Sequence, residues 1–398
     1  QALPGGTPEF CHPYFDYLER QFPDWRENAR NLYDASGMVA PVNSTTHGRS
    51  FNVLPTYPWH FWVSGPGWLA ALWYDYWLFT GDREFLRDRA WPLYLEIIEF
   101  YEDFLQIDED GKYLFSPSFS PENAPGNGEC FTTRNATMDI AVAREVLKNA
   151  IAISEELGEL TAQIPQWRGM LEKLPDYSVN ADGALCEWLH ADHTDNYQHR
   201  HLSHVYPVFP GSECSKRFEP ELFAACAEAV RQRLRAGSGA QVSWSVVHLA
   251  NTFARLGWGE EALECLDDCL RFFAGENFLF HIHDWRGSGV VGDSLRSVGQ
   301  TPFQIDGVLG FGAAVMEMLL FSHREYIELL PALPASWPSG RISGLRARGH
   351  FSVSLRWDDG VLAEALITAA RTCRHTVYYR QEKRVIDFTA GETYTFKP

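Results

Sequence analysis

Ser116-Pro117-Ser118-Phe119-Ser120-Pro121-Glu122-Asn123 is the stretch on which the fold turns. It has no repeating apolar period, and it separates helical patterns on either side. Each proline fixes its own φ and drives the residue before it out of the helical region, so the segment runs extended or turning. Ser and Asn side chains bond the nearby backbone and hold such a loop in one shape. One carboxylate, Glu122, rides on this rigid connection. On pattern alone it reads either as a solvated acid or as a group held for chemistry, because loops carry both.

Working outward, Phe15, Leu18, Phe22 and Trp25 fall at spacings of three and four, a helical rhythm within residues 9–34. Residues 35–61 lose that period and are rich in Gly, Pro, Asn, Thr and His, which predicts a long loop of the kind that tends to be functional. Leu69, Leu72, Trp73 and Tyr76 share a face of a helix over residues 65–79, with Gly81 suited to its C-terminal cap and Asp82 to the next N-cap. The next helix is interrupted at Trp91-Pro92 and resumes to Leu105. Beyond the Ser-Pro loop, Ile140, Ala143, Val146, Leu147 and Ala150 build another, followed by patterns at 164–174, 220–235, 242–256, 260–273 and 308–321. Helix follows helix with long loops between, which suits helix pairs closing into a toroid whose loops gather a site.

The pattern changes near Glu325. Tyr326 to Leu330, Phe351 to Trp357, the run through Leu366, Thr376 to Tyr379 and Arg384 to Phe388 alternate with period two, and Asp358-Asp359-Gly360 marks a hairpin turn. The expected fold is therefore mainly α, with a helical toroid over residues 1–324 and a small antiparallel β domain over 325–398.

Composition bounds the partners. The 398 residues carry a formal net charge of −18 with no polybasic run, which argues against nucleic acid and anionic membrane surfaces. No apolar run of about 18 residues and no signal peptide is present, although Gln1 does not look like a natural start, so the compartment is left open. Aromatic residues make up 14%, which serves a core and a sugar-stacking cleft alike. The 8 cysteines include no Cys-x-x-Cys pair and read as small buried hydrophobes, kept reduced.

Three further loops carry chemistry: His199-Arg200-His201-Leu202-Ser203-His204, His281-Ile282-His283-Asp284-Trp285 and Pro302-Phe303-Gln304-Ile305-Asp306-Gly307. Imidazoles invite a metal, yet Pro207 and Pro210 keep His201 and His204 off a helix and no carboxylate-and-His ligand pattern appears, which puts a metal behind a hydrogen-bonded structural cluster or donors for a polyhydroxylated substrate. Glycoside hydrolysis needs a carboxyl acid and a carboxyl base on opposite sides of the scissile bond, and Glu122 and Asp306 are candidates for the two. Asp306 reads equally as the N-cap of a helix starting at Val308.

Ser116 to Asn123, Asn135-Ala136-Thr137-Met138-Asp139, His199 to Tyr206, Pro302 to Gly307, Trp62-Val63-Ser64-Gly65 onward to Leu86, and Leu329 to Gly349 together resemble glycoside hydrolase family 95, the α-L-fucosidases and α-L-galactosidases. The resemblance implies an (α/α)6 toroid, a following β domain, and removal of terminal α-L-fucosyl or α-L-galactosyl groups with inversion. It implies that Glu122 is the general acid and that Asp306 belongs to the base side. Trp62, Asn123, His201, His204 and Gln304 fall where substrate contacts are expected, and the resemblance implies no metal or cofactor. A catalytically silent glycan-binding fragment is the alternative. Two departures stand out: Val308-Leu309-Gly310 replaces Asn-Phe-Gly, and the family's N-terminal β domain and Asn-x-Asn motif would fall ahead of residue 1. The expectation is turnover that is slow or absent without that motif, restored by the upstream segment.

Overall fold

The computed structural model describes residues 1–50, 59–128, 130–237, 241–284 and 302–398. Trp285 and residues 51–58 of the early loop lie outside the described residues. The helices are α1 (His12–Glu19), α2 (Phe22–Tyr33), α3 (Gly65–Thr80), α4 (Arg83–Phe85), α5 (Trp91–Phe104), α6 (Thr137–Leu157), α7 (Ile164–Lys173), α8 (Pro220–Ala236), α9 (Ser243–Leu256), α10 (Gly259–Asp268) and α11 (Ile305–Leu319). The strands are β1 (Gln106–Ile107), β2 (Tyr113–Leu114), β3 (Leu320–Ser322), β4 (Tyr326–Leu329), β5 (Gly340–Ala347), β6 (Phe351–Asp358), β7 (Val361–Ala369), β8 (Cys373–Tyr379), β9 (Glu382–Phe388) and β10 (Thr393–Phe396). Two compact units emerge, one of Cys11–Trp77 with Asp82–Ala236, the other of Gln1–Phe10, Leu78–Gly81 and Gly237–Pro398.

The first unit is built on aromatic packing. Phe15 lies with its ring centroid 4.5 Å from Trp73 and 5.0 Å from Phe85, and all three are buried. The helix α3 is covered on more than the one face read from its periodicity. Gly67, Ala70, Trp73, Tyr74, Tyr76 and Trp77 are all buried, as befits a helix apolar most of the way round. Asp82 caps α4 as expected, its carboxylate accepting from the Phe85 N–H at 2.9 Å, a contact worth about 1 kcal/mol. The interruption expected at Trp91-Pro92 is instead a wide π turn over Leu86–Ala90, closed by the Trp91 N–H on the Leu86 carbonyl. Pro92 has no N–H for an α-type bond, so the register loosens just before it and the helix continues as α5.

In the second unit the C-terminal strands form two four-stranded sheets, ordered β10-β7-β6-β5 and β3-β4-β8-β9. Ile327, Leu329, Val377 and Phe388 from one and Val353, Leu355, Trp357 and Ile367 from the other share one core, which makes a sandwich. The predicted turn is present: Asp359 and Gly360 have φ of 48° and 68°, the primed geometry that matches strand twist. One pairing departs from a fully antiparallel domain. The strands β4 and β8 run parallel, a neighbour relation that needs a long crossover, and β5 to β7 supply it while forming the opposite sheet.

Candidate active site

The Ser-Pro loop is held by two buried carboxylates. Asp139, in the first turn of α6, accepts from the Ser118 hydroxyl at 2.5 Å and from the Phe119 N–H at 3.1 Å, and its other oxygen accepts from the Ser64 hydroxyl. Its burial raises the carboxyl to about 6, against the pull of those three donors. Glu187 takes the other end, accepting from the Ser120 hydroxyl at 2.7 Å and from the Asn123 amide at 2.9 Å. Between these anchors Glu122 sits at φ 58°, a left-handed conformation that costs an ordinary side chain energy and persists only where surroundings fix it.

The histidine loop meets Glu122 from the other side. His201 Nε2 lies 3.1 Å from a Glu122 carboxylate oxygen, and the Arg200 guanidinium donates to the same oxygen. The His199 and His201 rings stack at 4.9 Å. Burial, with Arg200 and Arg233 nearby, pushes His201 down to about 3, and burial with His201 beside it does the same for His199. Both are neutral imidazoles at pH 7, able to donate or accept one hydrogen bond from a sugar hydroxyl without adding charge.

Behind this surface lies an ion pair that the sequence analysis missed. Arg233, on α8, donates to Glu187 at 2.8 Å, and both side chains are 2% exposed. The same guanidinium donates from Nε to the His201 carbonyl at 3.1 Å and from Nη1 to the Asn196 carbonyl. Burial alone would raise Glu187, but Arg233, with His204, Ser120 and His199, holds it down to about 2. Burial lowers His204 itself to about 4, so at neutral pH Arg233 is the charged partner. A signal existed: Cys226, Ala229, Val230 and Arg233 share one buried face of α8, an arginine where the period asks for an apolar residue. Glu187, a lone acid among Leu185, Trp188 and Leu189, gave less.

The sequence-predicted residues separate into those beside Glu122 and those behind it. His201 reaches Glu122, whereas His204 is 1% exposed, with Nδ1 3.9 Å from Glu187. Asn123 is also 1% exposed, its amide committed to Glu187 and to the Asn196 carbonyl at 3.1 Å. Trp62 is buried, its ring 5.8 Å from that of Trp68, and it stands two residues ahead of the Ser64 that bonds Asp139. In the second unit, Asp306 lies in the first turn of α11, which begins at Ile305 rather than Val308, so Asp306 is inside the helix and not its cap. The exposed carboxyl is crowded enough for partial burial to raise its pKa. Gln304 directs its side-chain oxygen to the start of α9, accepting from the Ser243 hydroxyl at 2.5 Å and from the Trp244 N–H at 2.9 Å. That oxygen satisfies donors a helix start leaves open. Among the described residues no group of three or more His, Cys, Asp or Glu is arranged to hold a metal ion, and no helix is long and apolar enough to cross a membrane.

The sequence matches the glycosyl hydrolase family 95 catalytic domain over residues 1–319 and the glycoside hydrolase family 95 C-terminal domain over residues 321–397. It is 32% identical to Alpha-L-fucosidase 2 of Arabidopsis thaliana over 99% of this chain and 46% of that protein. It is 30% identical to Probable alpha-fucosidase A of Aspergillus oryzae over 65% of this chain and 36% of that one. The chain thus spans less than half the length of these curated relatives. A solved structure bearing the name of a kojibiose phosphorylase from the human microbiome superposes on 96% of this chain and 56% of its own, with a TM-score of 0.57 at 11% identity, a likeness of fold alone. The fold class is mainly helical, of the (α/α)6 kind, with a small C-terminal sheet domain, and the chain belongs to glycoside hydrolase family 95.

Proposed function

We propose that this chain hydrolyses terminal α-L-fucosyl or α-L-galactosyl residues of oligosaccharides or glycans with inversion, Glu122 acting as general acid and Asp306 serving the base side. The observation that carries the proposal is Glu122 itself, half-buried, conformationally fixed on a doubly anchored loop, and flanked by a neutral imidazole. An acid of this kind protonates the departing oxygen, and a fixed loop keeps it aligned as the bond lengthens. Asp306 is assigned the proton of the attacking water, the base's part in inversion. His201 and Trp62 are assigned to the sugar, and Asn123, His204 and Gln304 to holding the loops that present it. Family membership supports the reaction class, and the names of the relatives support the sugar.

A second reading is favoured by one contact. The Arg200 guanidinium is ion-paired with Glu122, so the carboxylate already has a partner where an acid needs a glycosidic oxygen, as in a chain that binds glycans and turns them over weakly or not at all. Incubating the chain with nitrophenyl α-L-fucoside and α-L-galactoside separates the two. The proposal expects release of nitrophenol from at least one; saturable glycan binding without release supports the second reading.

A further inference from the structure

We propose, on the reading of Glu122 as the general acid, that the buried Glu187–Arg233 pair is a positioning device that aligns the acid with the histidine loop. Glu187 grips the residues at both sides of the acid in sequence, Ser120 two before it and Asn123 one after. Arg233 grips the chain that carries His201, through the His201 carbonyl and the Asn196 carbonyl. Asn196 closes the circuit by donating its amide to Asn123 Oδ1 at 3.1 Å. The two loops that meet at Glu122 are therefore tied to opposite ends of one ion pair, and neither member of the pair touches Glu122.

A pair kept only for stability need not be ionic. Buried ion pairs often add little net stability over apolar residues of similar volume, whereas breaking one member leaves a buried charge uncompensated. What the carboxylate and guanidinium supply here is direction. The Glu187 oxygens accept from three donors, two on the Ser-Pro loop and one on α8, and the Arg233 fork donates to three acceptors at fixed angles. The guanidinium plane, held by one carboxylate oxygen and two carbonyls, fixes the gap between the loops, and with it the angle at which Glu122 approaches a glycosidic oxygen. Small displacements of an acid matter in proportion to how much proton the transition state needs, so a misaligned acid hurts poor leaving groups most.

The test compares kcat/KM for a fucosyl disaccharide, whose leaving oxygen is basic, with that for α-L-fucosyl fluoride, whose departure needs little acid. Glu187→Gln, shown to be folded by circular dichroism and its melting curve, is expected to lose about 10²-fold on the disaccharide and only about 3-fold on the fluoride. Arg233→Lys keeps the charge and loses the fork; it is expected to fall between Glu187→Gln and the parent chain, mainly in kcat. If Glu187→Gln does not fold, Ser120→Ala removes one buried donor of the clamp while leaving the ion pair in place, and is expected to show the same asymmetry at about 10-fold. Equal losses on the two substrates overturn the positioning role if Glu122→Gln still discriminates between them. If Glu122→Gln also loses both equally, the acid assignment falls and this inference with it.

Discussion

Prolines and small polar residues mark the loop of Glu122 as rigid in the sequence, and a glycine after Asp306 makes it a second candidate. What holds Glu122 could not be found in the same way. Arg233 shares α8 with solvated Arg231 and Arg235, and only its place on the apolar face sets it apart. The roles assigned to the two acids separate by leaving group. Glu122→Gln is expected to lower kcat/KM on a fucosyl disaccharide by about 10²–10⁴-fold while sparing the fluoride, and Asp306→Asn to depress both. Equal losses for Glu122→Gln would remove it from the acid role. The anchoring carboxylates also differ in their response to pH. Glu187 is depressed from 4.5 to about 2, so its contribution is present above pH 4.5 and is lost as pH falls toward 2. Asp139 is raised from 3.8 to about 6, so its ionisation weighs against the folded state as pH rises through that window. Urea titrations should therefore show the stability gap between the parent chain and Glu187→Gln growing by roughly 3 kcal/mol from pH 2 to 4.5 and level above it. A gap independent of pH would mean that Glu187 is not ionised in the folded protein.

At the scale of elements, strong periodicity was read correctly and local register was not. Pro92 was read as an interruption after which the helix resumes; the break is a π turn over Leu86–Ala90 just ahead of it, and α5 continues from Trp91. The strand β5 was missed because a register shift between Ile342 and Leu345 breaks the alternation that marks a half-buried strand. The described start of the 35–61 loop is more tightly tied than its composition suggests, with the Asn28 amide donating to the Val39 carbonyl at 2.9 Å and the Gly48 carbonyl at 2.8 Å. Gly37 is where that segment crosses α5. It has φ 72°, and a Cβ there would lie 2.2 Å from the Glu96 carbonyl oxygen and 2.5 Å from the Phe100 nitrogen, both main-chain atoms that cannot swing away. Gly37→Ala is expected to destabilise the protein by about 2–4 kcal/mol and lower its Tm by several degrees. An unchanged melting curve would show that the crossing is looser than described.

For the whole molecule, the order of helices and then strands was legible because the apolar period changes from near 3.6 to 2 close to Glu325. The parallel pairing of β4 with β8 was not, because strand order is set by contacts far apart in sequence and leaves no local mark. The acidity, −18 overall, makes neutral or cationic glycans easier partners than heavily sulfated ones. The central claim, hydrolysis of an α-L-fucoside with inversion, is tested most directly by following the first minutes of nitrophenyl α-L-fucoside cleavage by proton NMR, before mutarotation mixes the anomers. The account predicts that β-L-fucose appears first and that Asp306→Asn slows its appearance; α-L-fucose as the first product would contradict it.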